Sequence, residues 1–279
     1  MERNSHWVRR MGVLFLLMWS LVPLYWVLNI SLQTDAQISA KPANYLPPTP
    51  SLSNYVSLLS GTGALPDAVR RSMVNISIEC GLATIVTVLL STLAAYAFAR
   101  MKFRGRTVLF YSVLATMAFP AYTTLIPLYR IMTTFGLVNT YTGIILVYVS
   151  GFLPLATWIM YHYMSSLPIS IEEAAQVDGA SRMKVLWLVV LPLARPGIVA
   201  VAVIVAVFTW NDFGGSLVLL QKPDVFTAPL AISRFSTFYA TDQGLTFAGM
   251  AIAIVPPLLL FLVLQRSFIG GLTAGAIRR

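Results

Sequence analysis

Six apolar stretches alternate with polar segments along the chain, at 11–30, 73–99, 107–128, 140–163, 197–220 and 246–268. A helix rising about 1.5 Å per residue needs about 20 apolar residues to cross roughly 30 Å of hydrocarbon, and each stretch meets that length. The pattern predicts an all-α, polytopic membrane protein with six transmembrane helices. Pro120, Pro154, Pro256 and Pro257 fall inside these stretches. Membrane helices tolerate such prolines when neighbouring groups satisfy the freed backbone.

A polar and charged island at 172–192 separates the fourth stretch from the fifth and carries helix signals of its own. Pro168 disfavours helix before it, and Ser170 stands three residues ahead of Glu173 as in a capping box, so a helix is predicted to begin near Ile171. Glu172 and Glu173 suit the positive end of the helix dipole, while Ala174 and Ala175 favour helix and leave a narrow face. Gly179, about two turns on, stands where a left-handed C-terminal cap places glycine. Ser181 is placed to cap a second helix running toward Val190 and stopping before Pro192. A lone helix of two turns is marginal in water, since about 12–15 residues are needed even with good propensity. Something else must hold it: either it is a solvated connecting loop, or its small alanine face admits a partner as a docking element.

Composition sharpens the class. The chain is 57% hydrophobic and 10% charged, against about 25% charged in soluble domains. Lysine and arginine favour the cytoplasmic side of membrane proteins, and with both termini cytoplasmic, thirteen of the nineteen basic residues fall on inner segments. The island is then cytoplasmic. The +9 charge flanks spans rather than forming one patch, so topology accounts for it without nucleic acid. The first stretch is longer than the 7–15 residues of a typical signal core and is read as retained. Cys80 is the only cysteine, so no intramolecular disulfide forms. The outer loop at 31–72 holds five prolines and reads as semi-rigid, either a connector or a landing surface for an external partner. Residues 1–72 form an N-terminal region, and 73–279 a five-span core with a cytoplasmic loop at 165–195 and a tail at 269–279.

Candidate chemistry is sparse. No Gly-Lys dipeptide is present, so a phosphate-cradling loop is excluded and the chain is not expected to hydrolyse ATP. His6, His162 and Cys80 are scattered, no metal site is expected, and no enzymatic constellation stands out. His162 reads as interfacial. Glu79 and Asp212 are the ionisable residues inside spans, where charge is costly and usually functional. Glu79 lies near the outer surface, within reach of headgroups. Asp212 follows Trp210 and Asn211 and precedes Gly214 and Gly215. That polar break lines a translocation path or bonds a neighbouring helix.

Glu173, Ala174 and Ala175, three residues, Gly179, nine residues, then Val189, Leu191 and Pro192 resemble the cytoplasmic loop of ABC importer permeases, with valine where isoleucine is usual. Further matches are Ser53, Asn54 and Tyr55; Ala95, Tyr96 and Ala97 with Phe103 to Arg106; Gly136 to Thr140; Trp210 to Phe213; and Gly271 to Ala276. Together they resemble carbohydrate importers of the kind that includes the maltose transporter's smaller permease subunit. The resemblance implies a type I ABC importer permease fold, without catalysis. It implies a second permease subunit, two ATPase subunits that bind the ATP and Mg, an external solute-binding protein, a sugar substrate and surrounding membrane lipid. Ser170, Glu172, Glu173, Ala174, Ala175, Asp178 and Gly179 would couple to the ATPase. The tail residues Gly271, Leu272, Thr273, Ala274 and Gly275 would reach between the ATPase halves, although Ile277, Arg278 and Arg279 depart from the usual ending. A di- or oligosaccharide, a polyol and a glycerol phosphodiester all remain open as substrate. An autonomous ion-coupled carrier using Glu79 and Asp212 is the reading of a different class.

Overall fold

A computed structural model describes the backbone of residues 2–61, 63–238 and 242–274. Thirteen α-helices and no strands occur among the described residues: α1 Glu2–Ser31, α2 Asp35–Ile38, α3 Ser53–Ser60, α4 Ala64–Arg100, α5 Arg106–Ala115, α6 Leu125–Thr134, α7 Tyr141–Ser166, α8 Ile169–Val177, α9 Arg182–Val185, α10 Leu191–Trp210, α11 Gly214–Leu219, α12 Ala228–Phe238 and α13 Gln243–Ala274. Five helical segments are long and apolar enough to cross a membrane: Arg9–Ser31, Pro66–Arg100, Tyr141–Ser166, Arg182–Trp210 and Gln243–Val263. Arg106–Ala118 is apolar but shorter.

The third expected span is therefore not one helix. A 3₁₀ turn at Thr116–Ala118 ends α5, Phe119 is extended at φ −76° and ψ 125°, and a second 3₁₀ turn at Ala121–Thr124 leads into α6. Pro120 is the cause, because its ring excludes the residue before it from the helical region. The fifth span also departs from expectation. The helix begun by Ser181 does not stop before Pro192 but continues through a π turn at Leu186–Val190 into α10. Proline supplies no N–H to the carbonyl one turn back and crowds it, and a wider turn accommodates both effects.

The chain divides into two compact units. In the first, Met1–Met73 with Ala228–Val255, Leu58, Val69 and Ala248 form a small core. Here the loop at 31–72 is folded rather than merely extended. Asn54 donates to the carbonyls of Ser31 and Gln33 at 2.9 and 3.0 Å, and the Tyr55 hydroxyl lies 2.6 Å from Ser31 Oγ. Asn54 and Tyr55 of the outer-loop motif thus close the chain reversal after α1.

The second unit, Val74–Thr227 with Pro256–Arg279, is built on a larger core. Ala95 and Tyr96 of α4, Ala156, Met160 and Met164 of α7, Val185, Leu186 and Val190, and Ala194, Val201 and Val205 of α10 pack together there. Aromatic rings pack at its edge, Phe98 edge-on against Phe110 and Phe110 tilted against Tyr161.

Candidate functional site

The island at 172–192 folds as two short helices joined by a glycine turn, and it docks on the ends of α4 and α7. Helix α8 starts at Ile169, two residues earlier than expected, with Pro168 at its N-cap in an extended conformation and no side-chain cap. Ser170 therefore lies inside the first turn and does not cap it. Pro168 itself sets this start, since its fixed φ turns the chain out of α7 before any serine hydroxyl is needed. At the other end the expected left-handed glycine is present, with φ +84° at Gly179. The N–H of Gly179 bonds the Gln176 carbonyl and that of Ala180 the Ala175 carbonyl, both at 3.0 Å, which satisfies two of the orphan carbonyls of α8. Ser181 then caps α9 by accepting from the Lys184 N–H at 3.4 Å.

The two glutamates at the start of α8 have opposite surroundings. Glu173 is exposed, as are Ser170, Ala174, Gln176, Asp178 and Gly179. Glu172 is turned inward, 5% exposed, and its Oε1 accepts from Arg100 Nε at 2.6 Å. Glu172, which the resemblance groups with the outward-facing coupling residues, is thus directed into its own chain. Arg100 Nη2 donates in addition to the carbonyls of Met164 and Leu167 at 2.9 and 3.0 Å. One guanidinium thus binds the start of α8, the last turn of α7 and, through its own backbone, the end of α4.

Charge and helix polarity agree at this junction. The cation sits where α4 and α7 present their negative C-terminal ends, and the anion sits at the positive N-terminal end of α8. Both side chains are largely buried, 10% and 6% exposed, so removing one partner strands the other charge and costs about 3–5 kcal/mol. Ala175, one turn from Glu172 on the same face, packs partly buried against the core. The alanine pair is thereby split: Ala175 seats α8 on its own chain, and Ala174 points outward beside Glu173. Val177 is 86% exposed on this outward surface, with Ile169 and Ile171 also exposed.

The polar break after α10 places its three residues in different surroundings. Trp210 is buried and borders an apolar cavity of about 350 Å³ with Cys80, Thr84, Pro256 and Pro257. Asn211 is exposed and its amide donates to the Val207 carbonyl at 2.8 Å, closing the last turn of α10. Asp212 is half-buried and caps α11: Oδ2 accepts from the Ser216 N–H at 3.0 Å and Oδ1 from the Gly215 N–H at 3.4 Å. The Tyr148 hydroxyl on α7 lies 3.3 Å from Asp212 Oδ2 and 3.0 Å from Ser216 Oγ. A Cβ at residue 215 would stand 3.0 Å from the carboxylate, so glycine admits the cap.

Glu79 is fully buried in α4 and does not reach a surface, and neither of its oxygens has a hydrogen-bond partner among the described residues. Asp212 is within electrostatic reach of it. No cluster of three His, Cys, Asp or Glu that could hold a metal ion occurs among the described residues. His162 is exposed and packs edge-on against Trp158 and Tyr161. Of the tail residues, Gly271, Leu272, Thr273 and Ala274 continue the backbone of α13, and Gly275 lies outside the described residues. Sequence reasoning did not pair Arg100 with Glu172, and the outward valine at 177 also escaped it.

A family model described as binding-protein-dependent transport system inner membrane component matches residues 87–272. The sulfoquinovosyl glycerol transport system permease protein of Agrobacterium fabrum is 32% identical over 271 residues, spanning 97% of this chain and 93% of that one. The trehalose transport system permease protein of Mycobacterium tuberculosis is 33% identical, with 93% of each chain covered. The diacetylchitobiose uptake system permease protein of Streptomyces coelicolor is 35% identical over 94% of this chain and 87% of that protein. A crystal structure of a bacterial ABC transporter that imports the acidic polysaccharide alginate contains a chain with the same fold, at a TM-score of 0.79 and 24% identity, covering 95% of this chain and 98% of that one.

Proposed function

The chain belongs to the family of binding-protein-dependent transport system inner membrane components, and from that membership we propose that it is one permease subunit of an ATP-driven importer for a di- or oligosaccharide. The observation that carries the sugar class is that relatives similar over nearly the whole chain are named for glycosides and disaccharides. The chain works as a permease and not as an enzyme. ATP and Mg are bound by two separate ATPase subunits, a second permease completes the path, and an external binding protein delivers the solute.

In this reading the cytoplasmic (inner) membrane of a bacterium or archaeon holds the chain with both termini inside, in keeping with the thirteen of nineteen basic residues on the inner segments. Helix α8 then faces the ATPase. Its outward surface supports that role: Glu173 and Asp178 offer charge, Ala174 allows close approach, Val177 offers apolar area, and Gly179 turns the chain back. The ATPase binds α8 in both of its states and drives the spans only through the difference between them. The tail at 271–275 is assigned to the same partner.

The test uses the whole complex in proteoliposomes, with the cognate binding protein supplied. Replacing Gly179 with leucine puts a side chain on a left-handed backbone and into the docking face. Uptake is expected to be lost and ATP hydrolysis to persist without it, with the chain still in the membrane. Uptake at the wild-type rate would remove α8 as the coupling element. Binding of trehalose, maltose, chitobiose, a polyol and a glycerol phosphodiester to the binding protein identifies the substrate, and exclusive binding of either of the last two would overturn the sugar assignment.

A further inference from the structure

We propose that Arg100 is a positioning residue for energy coupling: it locks α8 to the inner end of α4, so that these two helices move as one body when the ATPase moves α8. The inference rests on the importer reading above. Four observations carry it. Arg100 is the last residue of α4, and Glu172 lies in the first turn of α8. Their contact at 2.6 Å is buried, so neither solvent nor salt screens it well. The second arm of the same guanidinium takes the last carbonyls of α7, which fixes the direction from which the first arm reaches Glu172. Finally, α8 has no side-chain cap and too few residues to be stable alone, so its orientation is inherited from what it is bonded to.

The consequence is a route. Ala175 is a further inward-facing contact of α8, which also packs on α9 and the π turn, and it is a van der Waals contact that permits sliding. The ion pair is directional and does not slide. A push on the outward face at Glu173 and Val177 therefore enters α4 through residue 172, and α4 is the helix that carries Glu79 and Cys80 deep into the second unit. Arg100 touches neither solute nor nucleotide; its contribution is to prevent α8 from rocking on the core without moving the span.

The complete complex is purified through a tag on the ATPase, so that only assembled transporter is measured. In Arg100→Met, solute imported per ATP hydrolysed is expected to fall by about tenfold or more, within the ordinary range of coupling between two sites, while hydrolysis continues. Glu172→Gln leaves the buried Arg100 charge without its counterion but keeps an oxygen for Nε, and is expected to lower the same ratio by a smaller factor than Arg100→Met. A purely folding role would lower the yield of complex and leave the ratio unchanged. Arg100→Met with the wild-type ratio overturns the proposal.

A second measurement leaves the pair intact. Spin labels on Met101 and Gln176, in a Cys80→Ala background, report the distance between α4 and α8 in the nucleotide-free and ATP-bound complex. One unchanged distance is expected, and a shift beyond the width of the distribution overturns the locked pair even if Arg100→Met fails to assemble. Absence of ATP-dependent uptake by the unmutated complex would instead remove the importer reading, and the proposal with it.

Discussion

Tyr148 on α7 places its hydroxyl 3.3 Å from the Asp212 carboxylate, which at the same time takes the N–H groups of Gly215 and Ser216. The acid at the end of α10 is thus engaged by the helix that follows it and by a neighbouring span. Asp212→Ala removes the cap of α11 and is expected to lower the stability of the complex by about 1 kcal/mol, the usual worth of a helix cap. Tyr148→Phe removes the hydroxyl's bonds to Asp212 and Ser216, each worth about 0.6 kcal/mol in a membrane protein, and leaves the cap in place, whereas Asp212→Ala loses the cap and one of those bonds together. Thermal unfolding in detergent measures both, and a larger loss for Tyr148→Phe than for Asp212→Ala contradicts the capping role.

Glu79 separates the two classes of transporter. A carrier that couples to an ion needs this carboxylate, because Glu79 and Asp212 are the ionisable groups within the spans. An ATP-driven importer does not. Glu79→Gln is expected to keep ATP-driven uptake within about twofold of wild type, because the amide has the same size and neither carboxylate oxygen has a partner among the described residues to lose. Measured uptake that collapses in Glu79→Gln, or that persists in the isolated chain under an ion gradient without ATP, decides for the carrier.

The contrast between Glu172 and Gly179 explains how far the sequence could be read. Gly179 was legible because a left-handed cap is a local event that only a few residue types serve. The same holds for Ser181 and for the length of the long spans. Glu172 was not legible as an internal group, because its partner Arg100 lies 72 residues away and nothing in either neighbourhood pairs them. Composition marked Arg100 only as one more inner-side cation. The break at Phe119 and the π turn before Pro192 were missed for another reason: proline forbids a regular helix but does not state which irregular backbone replaces it. Asp212 was recognised as polar in a span, while its use as a cap depended on where α11 would start.

Asn139 joins the segment before α7 to the end of α11. It holds a left-handed backbone, φ +59°, and its Oδ1 accepts from the N–H groups of Gln221 and Lys222. Asn139→Asp keeps the acceptor and a residue type that tolerates this backbone, and is expected to be the mildest change. Asn139→Gly relieves the backbone but leaves two amide groups without their acceptor. Asn139→Ala loses the acceptor and adds left-handed strain, so it is expected to be worst, by about 1–2 kcal/mol. The order Asp, Gly, Ala in thermal midpoint checks this, and alanine above glycine would refute the left-handed assignment.

Two glycines set how closely the second unit can pack. A Cβ on Gly143 would lie 2.1 Å from the Leu137 carbonyl oxygen, and one on Gly197 would lie 2.6 Å from the Tyr163 ring. The first obstacle is backbone and cannot turn aside; the second is a side chain anchored at the end of α7. Gly143→Ala is therefore expected to destabilise more than Gly197→Ala, each by at least about 1–3 kcal/mol as overpacking does. Gly151, where a Cβ would meet nothing within 4 Å, is the control on the same helix. Gly151→Ala is expected to be neutral or to gain up to about 1 kcal/mol from helix propensity. Tyr163→Leu combined with Gly197→Ala should recover part of the loss, whereas the same ring truncation should do nothing for Gly143→Ala. Thermal midpoints of the five variants measure this, and equal losses at residues 143 and 151 would mean that the approach of Leu137 to α7 is not what the first glycine serves.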